Sequence, residues 1–136
     1  MTNPDLAFEA IKARKMAYAP YSGFMVGAAL LAVDGKVYLG CNIENAGYTP
    51  TICAERTAFS KAVSEGERKF AAIAVAGWPK DSAKPSQAFP CGVCRQVMRE
   101  FCTGDFKIIV VYGENGGYTE HTLDELLPHS FGPESL

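Results

Sequence analysis

The chain has 136 residues, 48% hydrophobic and 21% charged, with a formal net charge of -2. That length suits one domain, spanning residues 1–136, with a sizeable core, and is too short for two. The slightly acidic balance excludes the clustered Lys and Arg that non-specific duplex binding needs, so no nucleic-acid partner is expected.

The start, Met1-Thr2-Asn3-Pro4-Asp5, has neither the basic opening nor the apolar run of a signal peptide. No apolar segment is long enough to span a bilayer, and a cytoplasmic protein without membrane partners is expected. Leu6, Ala10, Ala13 and Ala17 recur near helical spacing with Lys and Arg between them, predicting an amphipathic helix over 5–18 that Pro20 ends. Residues 24–33 and 36–41 read as strands joined across Asp34-Gly35, a strong hairpin signal. A loop over 42–51, a helix over 53–63 stopped by Gly66, and a buried apolar strand over 70–78 follow. The Pro-, Lys- and Ser-rich stretch 79–89 reads as a loop, and 91–102 as a helix. A strand over 106–112, the Gly116-Gly117 turn and a short strand over 118–121 come next. Thr122-Leu123-Asp124-Glu125 fits a capping box opening a terminal helix that ends at Pro128. Helices alternating with about five strands indicate an α/β domain, a three-layer α/β/α sandwich with a mixed five-stranded sheet, its two cysteine-bearing helices side by side on one face.

The chemistry concentrates in Cys53-Ala54-Glu55 and Pro90-Cys91-Gly92-Val93-Cys94. Three thiols can hold a zinc ion and leave its fourth position for water, with Glu55 beside it to move that water's protons. With Pro90 just before a helix that opens at Cys91, Cys91 and Cys94 share one face. Cys53 opens the other helix. Both helix N-termini then turn positive dipole ends and free N–H groups toward the thiolates, lowering their pKa. A structural zinc module lacks its fourth ligand here, because Cys41 and Cys102 stand apart from any pair. A redox dithiol reading of Cys91 and Cys94 leaves Cys53 and Glu55 unexplained. Five cysteines are an odd number, and three metal thiolates account for them better than a disulfide framework, as suits a reducing compartment. Cys41 and Cys102 are expected to be buried structural residues, and His121 and His129 to face solvent.

Together with Tyr21-Ser22-Gly23-Phe24, Gly40-Cys41-Asn42-Ile43-Glu44-Asn45, Cys53-Ala54-Glu55-Arg56-Thr57 and Pro90-Cys91-Gly92-Val93-Cys94-Arg95-Gln96, this pattern resembles the small zinc-dependent cytidine deaminases over nearly the whole chain. The resemblance implies hydrolytic deamination of cytidine and deoxycytidine in pyrimidine salvage, one Zn2+ per subunit held by Cys53, Cys91 and Cys94, and Glu55 as proton shuttle. It implies that Arg56 hydrogen-bonds the thiolates and offsets their charge, that Phe24 stacks on the pyrimidine, and that Asn42 and Glu44 bind the ribose hydroxyls. Backbone groups around Ala54 would meet the polar edge of the base. It further implies a homotetramer in which Ala46 and Tyr48 approach a neighbour's sugar site and Phe131 stacks across the subunit boundary. The sequence departs from the family at Gly47, usually Ala or Ser, and at His129-Ser130, where Gly-Ala is usual.

Read without that resemblance, Arg56 is a surface helix residue, Phe24 a core strand residue, Asn42 and Glu44 a polar turn, and Phe131 a terminal anchor. The competing functions are a deaminase of a modified cytosine nucleoside such as blasticidin S, a polynucleotide-editing deaminase, and a non-catalytic zinc-binding module. The editing reading is disfavoured by the missing basic groove and by Cys53 where those enzymes usually have His.

Overall fold

The computed structural model describes residues 1–82 and 84–136; Ala83, inside the expected 79–89 loop, lies outside the described residues. Among the described residues, five strands form one mixed sheet in the order β2-β1-β3-β4-β5: β1 Phe24–Ala32, β2 Val37–Cys41, β3 Phe70–Pro79, β4 Lys107–Val111 and β5 Tyr118–Thr122. Only β3 and β4 run parallel, joined through helix α3, Gly92–Phe101; the other neighbours are antiparallel.

β1, β3 and β4 are near-continuous apolar runs because both faces of the sheet are covered. Helix α1, Asn3–Arg14, lays Leu6, Ala7, Ala10 and Ile11 on one face, against Ala29, Ala74, Ala76, Ile109 and Val111. Helices α2, Ala54–Ser64, and α3 cover the other, packing Phe59 and Met98 over Ala28, Leu30, Ile73, Val75, Ile108 and Val110. The alternation follows the two-residue period of a strand, so Ile108 and Ile109 serve opposite cores. The expected three layers are present, with the two cysteine-bearing helices on one face. A short helix α4, Leu123–Leu126, opens at the Thr122–Glu125 capping box and is followed by a single 3₁₀ turn, Pro133–Ser135.

Helix α1 departs from its expected bounds at both ends. Thr2 caps it through a reciprocal box with Asp5, at 3.2 Å from the Asp5 N–H to Thr2 Oγ1 and 3.0 Å from the Thr2 N–H to Asp5 Oδ2. The helix stops at Arg14, well before Pro20, because Tyr18 is drawn out to bridge Ile43: the Tyr18 N–H donates to the Asn42 carbonyl at 3.0 Å, and the Glu44 N–H to the Tyr18 carbonyl at 2.9 Å. A tertiary pairing replaces the last helical turn. Gly40 on β2 lets α2 approach. A Cβ there would sit 2.5 Å from the Ala58 N and overlap the Ala54 carbonyl oxygen, so the first turn of α2 rests directly on the sheet. Among the described residues, no helix is long and apolar enough to cross a membrane.

Candidate active site

Cys53 and Cys91 are the N-cap residues of α2 and α3, so each helix begins one residue later than expected, while Cys94 lies in the first turn of α3. Capping explains why a thiol serves at Cys91: its Sγ accepts the Cys94 N–H at 3.5 Å, satisfying one of the free donors of a helix start. The two helices abut, and the three sulfurs converge within 4.8 Å of one another, forming the one such group of potential metal ligands found among the described residues. Cys53 and Cys91 Sγ are 3.8 Å apart. Thiolates bound to one tetrahedral zinc at about 2.3 Å lie roughly 3.8 Å from each other, so the cluster fits that ion with small adjustment. Soft sulfur donors suit zinc, and three protein ligands leave a position open, as catalytic sites do.

The sulfurs and their neighbours are electrostatically coupled. The hydrogen bond from Cys94, then those from Arg56 and Cys91, pull the Cys53 thiol down to about 5. The same contact with Cys53, and burial, push Cys94 up. A bound cation displaces the protons that remain on the thiols. Arg56 donates from Nη2 to Cys53 Sγ at 3.5 Å, and that bond raises the basicity of its guanidinium. Arg56 is thus half-buried against the cluster, and its Nε is buried without a partner among the described residues.

Glu55, 4% exposed, follows Cys53 by two. Burial lifts its carboxyl to about 7, opposed by its own backbone N–H; the Cys53 charge adds to the rise, and Arg56 opposes it. The residue shares a cavity of about 200 Å³ with Cys53, Cys91, Ala54, Phe24, Asn42 and Glu44, so residues far apart in the sequence meet at one place. Val26, Thr51, Ile52, Val75, Ala88 and Phe89 complete the lining and were not singled out by sequence reasoning. Val26 stands two after Phe24 on the same strand face, and Ala88-Phe89 directly precede Pro90-Cys91; these adjacencies were the available signals.

Asn42 and Glu44 also brace the pocket rim. The Asn42 side chain donates to the Phe24 carbonyl and accepts the Val26 N–H, both at 2.8 Å, extending the edge of β1. Glu44 accepts the N–H groups of Tyr21 at 3.0 Å and Ser22 at 3.1 Å and the Ser22 hydroxyl, and the Ser22 bonds lower its pKa. An amide and a carboxylate retain further hydrogen-bonding capacity after these contacts.

Ala46, Tyr48 and Phe131 lie outside this cavity. Ala46 is exposed, Tyr48 is 79% exposed in a left-handed conformation with φ 61°, and Phe131 is 60% exposed. The segment carrying Phe131 is tied to α3. Gln96 Nε2 donates to the Phe131 carbonyl at 2.9 Å, Arg99 Nε to Ser130 Oγ at 2.8 Å, and Arg99 pairs with Glu134. Cys102 is buried, which pushes its thiol up to about 12. Cys41 differs from the expectation: it is half-buried because β2 is an edge strand, and its Sγ meets the Met16 carbonyl at 3.4 Å. His129 is exposed as expected, whereas His121 is half-buried, edge-on to Phe89 at 5.1 Å and 2.8 Å from Thr119 Oγ1.

Comparison with known proteins agrees with this geometry. The family model described as cytidine and deoxycytidylate deaminase zinc-binding region matches residues 3–111. A cytidine deaminase of Sporosarcina psychrophila is 52% identical over 131 residues, covering 96% of this chain and 92% of the relative. One from Halalkalibacterium halodurans is 52% identical over 136 residues, covering 100% of this chain and 98% of its own length. The crystal structure of cytidine deaminase from Burkholderia pseudomallei superposes with a TM-score of 0.85 at 45% identity, covering 96% of this chain and all of that one.

Proposed function

Since the chain belongs to the cytidine and deoxycytidylate deaminase family and is a zinc-dependent hydrolase that converts cytidine and water to uridine and ammonia, we propose which of its residues carry that reaction. The observation that carries the assignment is the three-thiol cluster and the buried Glu55 carboxyl opening on one small cavity.

Cys53, Cys91 and Cys94 would hold the zinc, one per chain. Bound there, the cation supplies Lewis-acid activation of a water molecule. Three thiolates exceed its charge by one, and the Arg56 guanidinium offsets the surplus through its bond to Cys53. Glu55 takes a proton from the attacking water and delivers it to N3 of the base so that C4 becomes electrophilic, then carries the proton of the new C4 hydroxyl to the amino nitrogen as the C4–N bond breaks and the carbonyl forms. Its burial suits that task, since a carboxyl titrating near neutrality both accepts and returns protons. The cavity of about 200 Å³ suits one nucleobase rather than a polynucleotide strand. Phe24 supplies its aromatic wall, backbone groups at Ala54 meet the polar edge of the base, and Asn42 and Glu44 use their remaining capacity on the sugar hydroxyls.

The reading extends to deoxycytidine, to one deaminase domain over 1–136, and to a cytoplasmic salvage enzyme. It also takes the enzyme to be a homotetramer, in which the exposed Ala46, Tyr48 and Phe131 complete a neighbour's site. The blasticidin S and non-catalytic readings gain no support from the relatives. The test is to incubate the zinc-loaded protein with cytidine, deoxycytidine and polycytidylate, measuring uridine nucleoside and ammonia. Equimolar products from both free nucleosides and none from the polymer are expected. Retained zinc with both nucleosides unchanged would overturn the assignment.

A further inference from the structure

The face of the sheet that carries the pocket has a gap in its side-chain layer at Gly77. Val75 and Gly77 are two apart on β3 and face the same way, and Gly77 pairs with Val26 of β1. Gly77 is not among the glycines of positive φ, so its backbone does not require glycine; its surroundings do. A Cβ at position 77 would stand 2.6 Å from the Ala88 Cβ, 3.1 Å from Val26 Cγ2 and 3.2 Å from Phe24 Cε1. All three neighbours line the cavity that holds Glu55. The space left by the missing side chain is filled by the methyl of Ala88, three residues before Cys91.

We propose that Gly77 is a positioning residue for the deamination: by admitting the Ala88 methyl it seats the segment 88–91 and the Phe24 ring, and so sets the width of the pocket available to the pyrimidine. The proposal rests on the nucleoside reading of that pocket. The segment has little freedom to relax elsewhere. On the metal side, Pro90 is buried and its carbonyl accepts Arg95 Nε at 2.6 Å. On the other side, the Ser86 N–H donates to the Tyr112 carbonyl at 3.0 Å and Gln87 Nε2 to Thr119 Oγ1 at 3.1 Å. A methyl at position 77 therefore moves Ala88 and Phe89, turns Phe24, or does both, and each alters the cavity.

The test compares zinc-loaded Gly77→Ala, Ala88→Gly and the double variant with the unaltered protein, reading KM and kcat for cytidine, zinc content and Tm. Gly77→Ala should raise KM about tenfold with a smaller change in kcat, the lower end of what one misplaced methylene does in a binding pocket. Zinc content should stay full. Ala88→Gly alone removes the methyl that seats the segment and should also raise KM, by less than Gly77→Ala, because it leaves a gap rather than a clash. The double variant moves one methyl across the contact and should recover most of the loss. A residue that merely supports the fold would lower Tm and leave the KM of the folded enzyme unchanged. Unmoved KM in folded Gly77→Ala, or no recovery in the double variant, overturns the proposal. Should Gly77→Ala not fold, the double variant and Ala88→Val carry the test: KM must be near normal in the first and raised in the second, and the reverse overturns it. Unaltered protein that leaves cytidine unconverted refutes the nucleoside reading instead.

Discussion

Replacing Arg56 by Gln tests whether the cluster's charge is tuned by its neighbour. The guanidinium lies with Nη2 3.5 Å from Cys53 Sγ. At an effective dielectric constant of about 20, a unit charge pair at that distance is worth roughly 5 kcal/mol, an upper bound for a half-buried group that water screens. Gln can still donate a neutral hydrogen bond, so the net loss is closer to that of one charge-assisted bond, about 1.5 to 3 kcal/mol. Zinc should then be held roughly 10- to 100-fold less tightly, the range usual for partners of metal ligands. Fold stability should change little, because the Arg56 Nε is buried without a partner and its removal relieves an unsatisfied donor. The assay is zinc release to a competing chelator, with cytidine turnover and Tm measured on the same preparations. Unchanged release and turnover would return Arg56 to an ordinary helix residue.

Cys94→Ser replaces the buried sulfur of the cluster and should abolish stoichiometric zinc, read by metal analysis, while Cys102→Ser, a residue buried away from the cluster, should keep it. Phe59→Ala removes the large, fully buried side chain that α2 packs on the sheet and should cost about 3 to 5 kcal/mol in urea unfolding at saturating zinc. Mixed assemblies of Glu55→Ala and Phe131→Ala chains, verified by mass, should exceed both parents in activity below saturation if Phe131 completes a neighbour's pocket. The stacking contribution of about 1 to 3 kcal/mol makes a gain of roughly ten- to a hundredfold the ceiling, and a simple average of the parents would remove Phe131 from the site.

The cluster was legible because its chemistry is local: thiol spacing at two helix starts and a Glu two residues after Cys53 survive any detail of packing. The strands were legible because β1, β3 and β4 are buried on both faces and read as apolar runs. The Thr122 capping box is legible for the same local reason, and Thr2–Asp5 carries the equivalent signal at the start of α1. The end of α1 was not legible, since the competing partner of Tyr18 lies at Ile43. Nor was the apolar half of the pocket. Val26, Val75, Ala88 and Phe89 look like core in the sequence, and only the β1–β3 register and the return of the loop toward Cys91 bring them beside Glu55. The exposure of Cys41 follows from the edge position of β2, a property of strand order rather than composition.

The most direct test of the central claim is to measure zinc content and cytidine turnover together in Glu55→Gln. Glu55 is buried beside the thiols without being one of them, so the variant should bind a full equivalent of zinc and keep the fold. Its turnover should fall by about 10²- to 10⁴-fold, the contribution of a positioned proton-transfer group. Full zinc with near-normal turnover would contradict the assignment of Glu55, and loss of zinc in this variant would contradict the division between ligand and proton carrier.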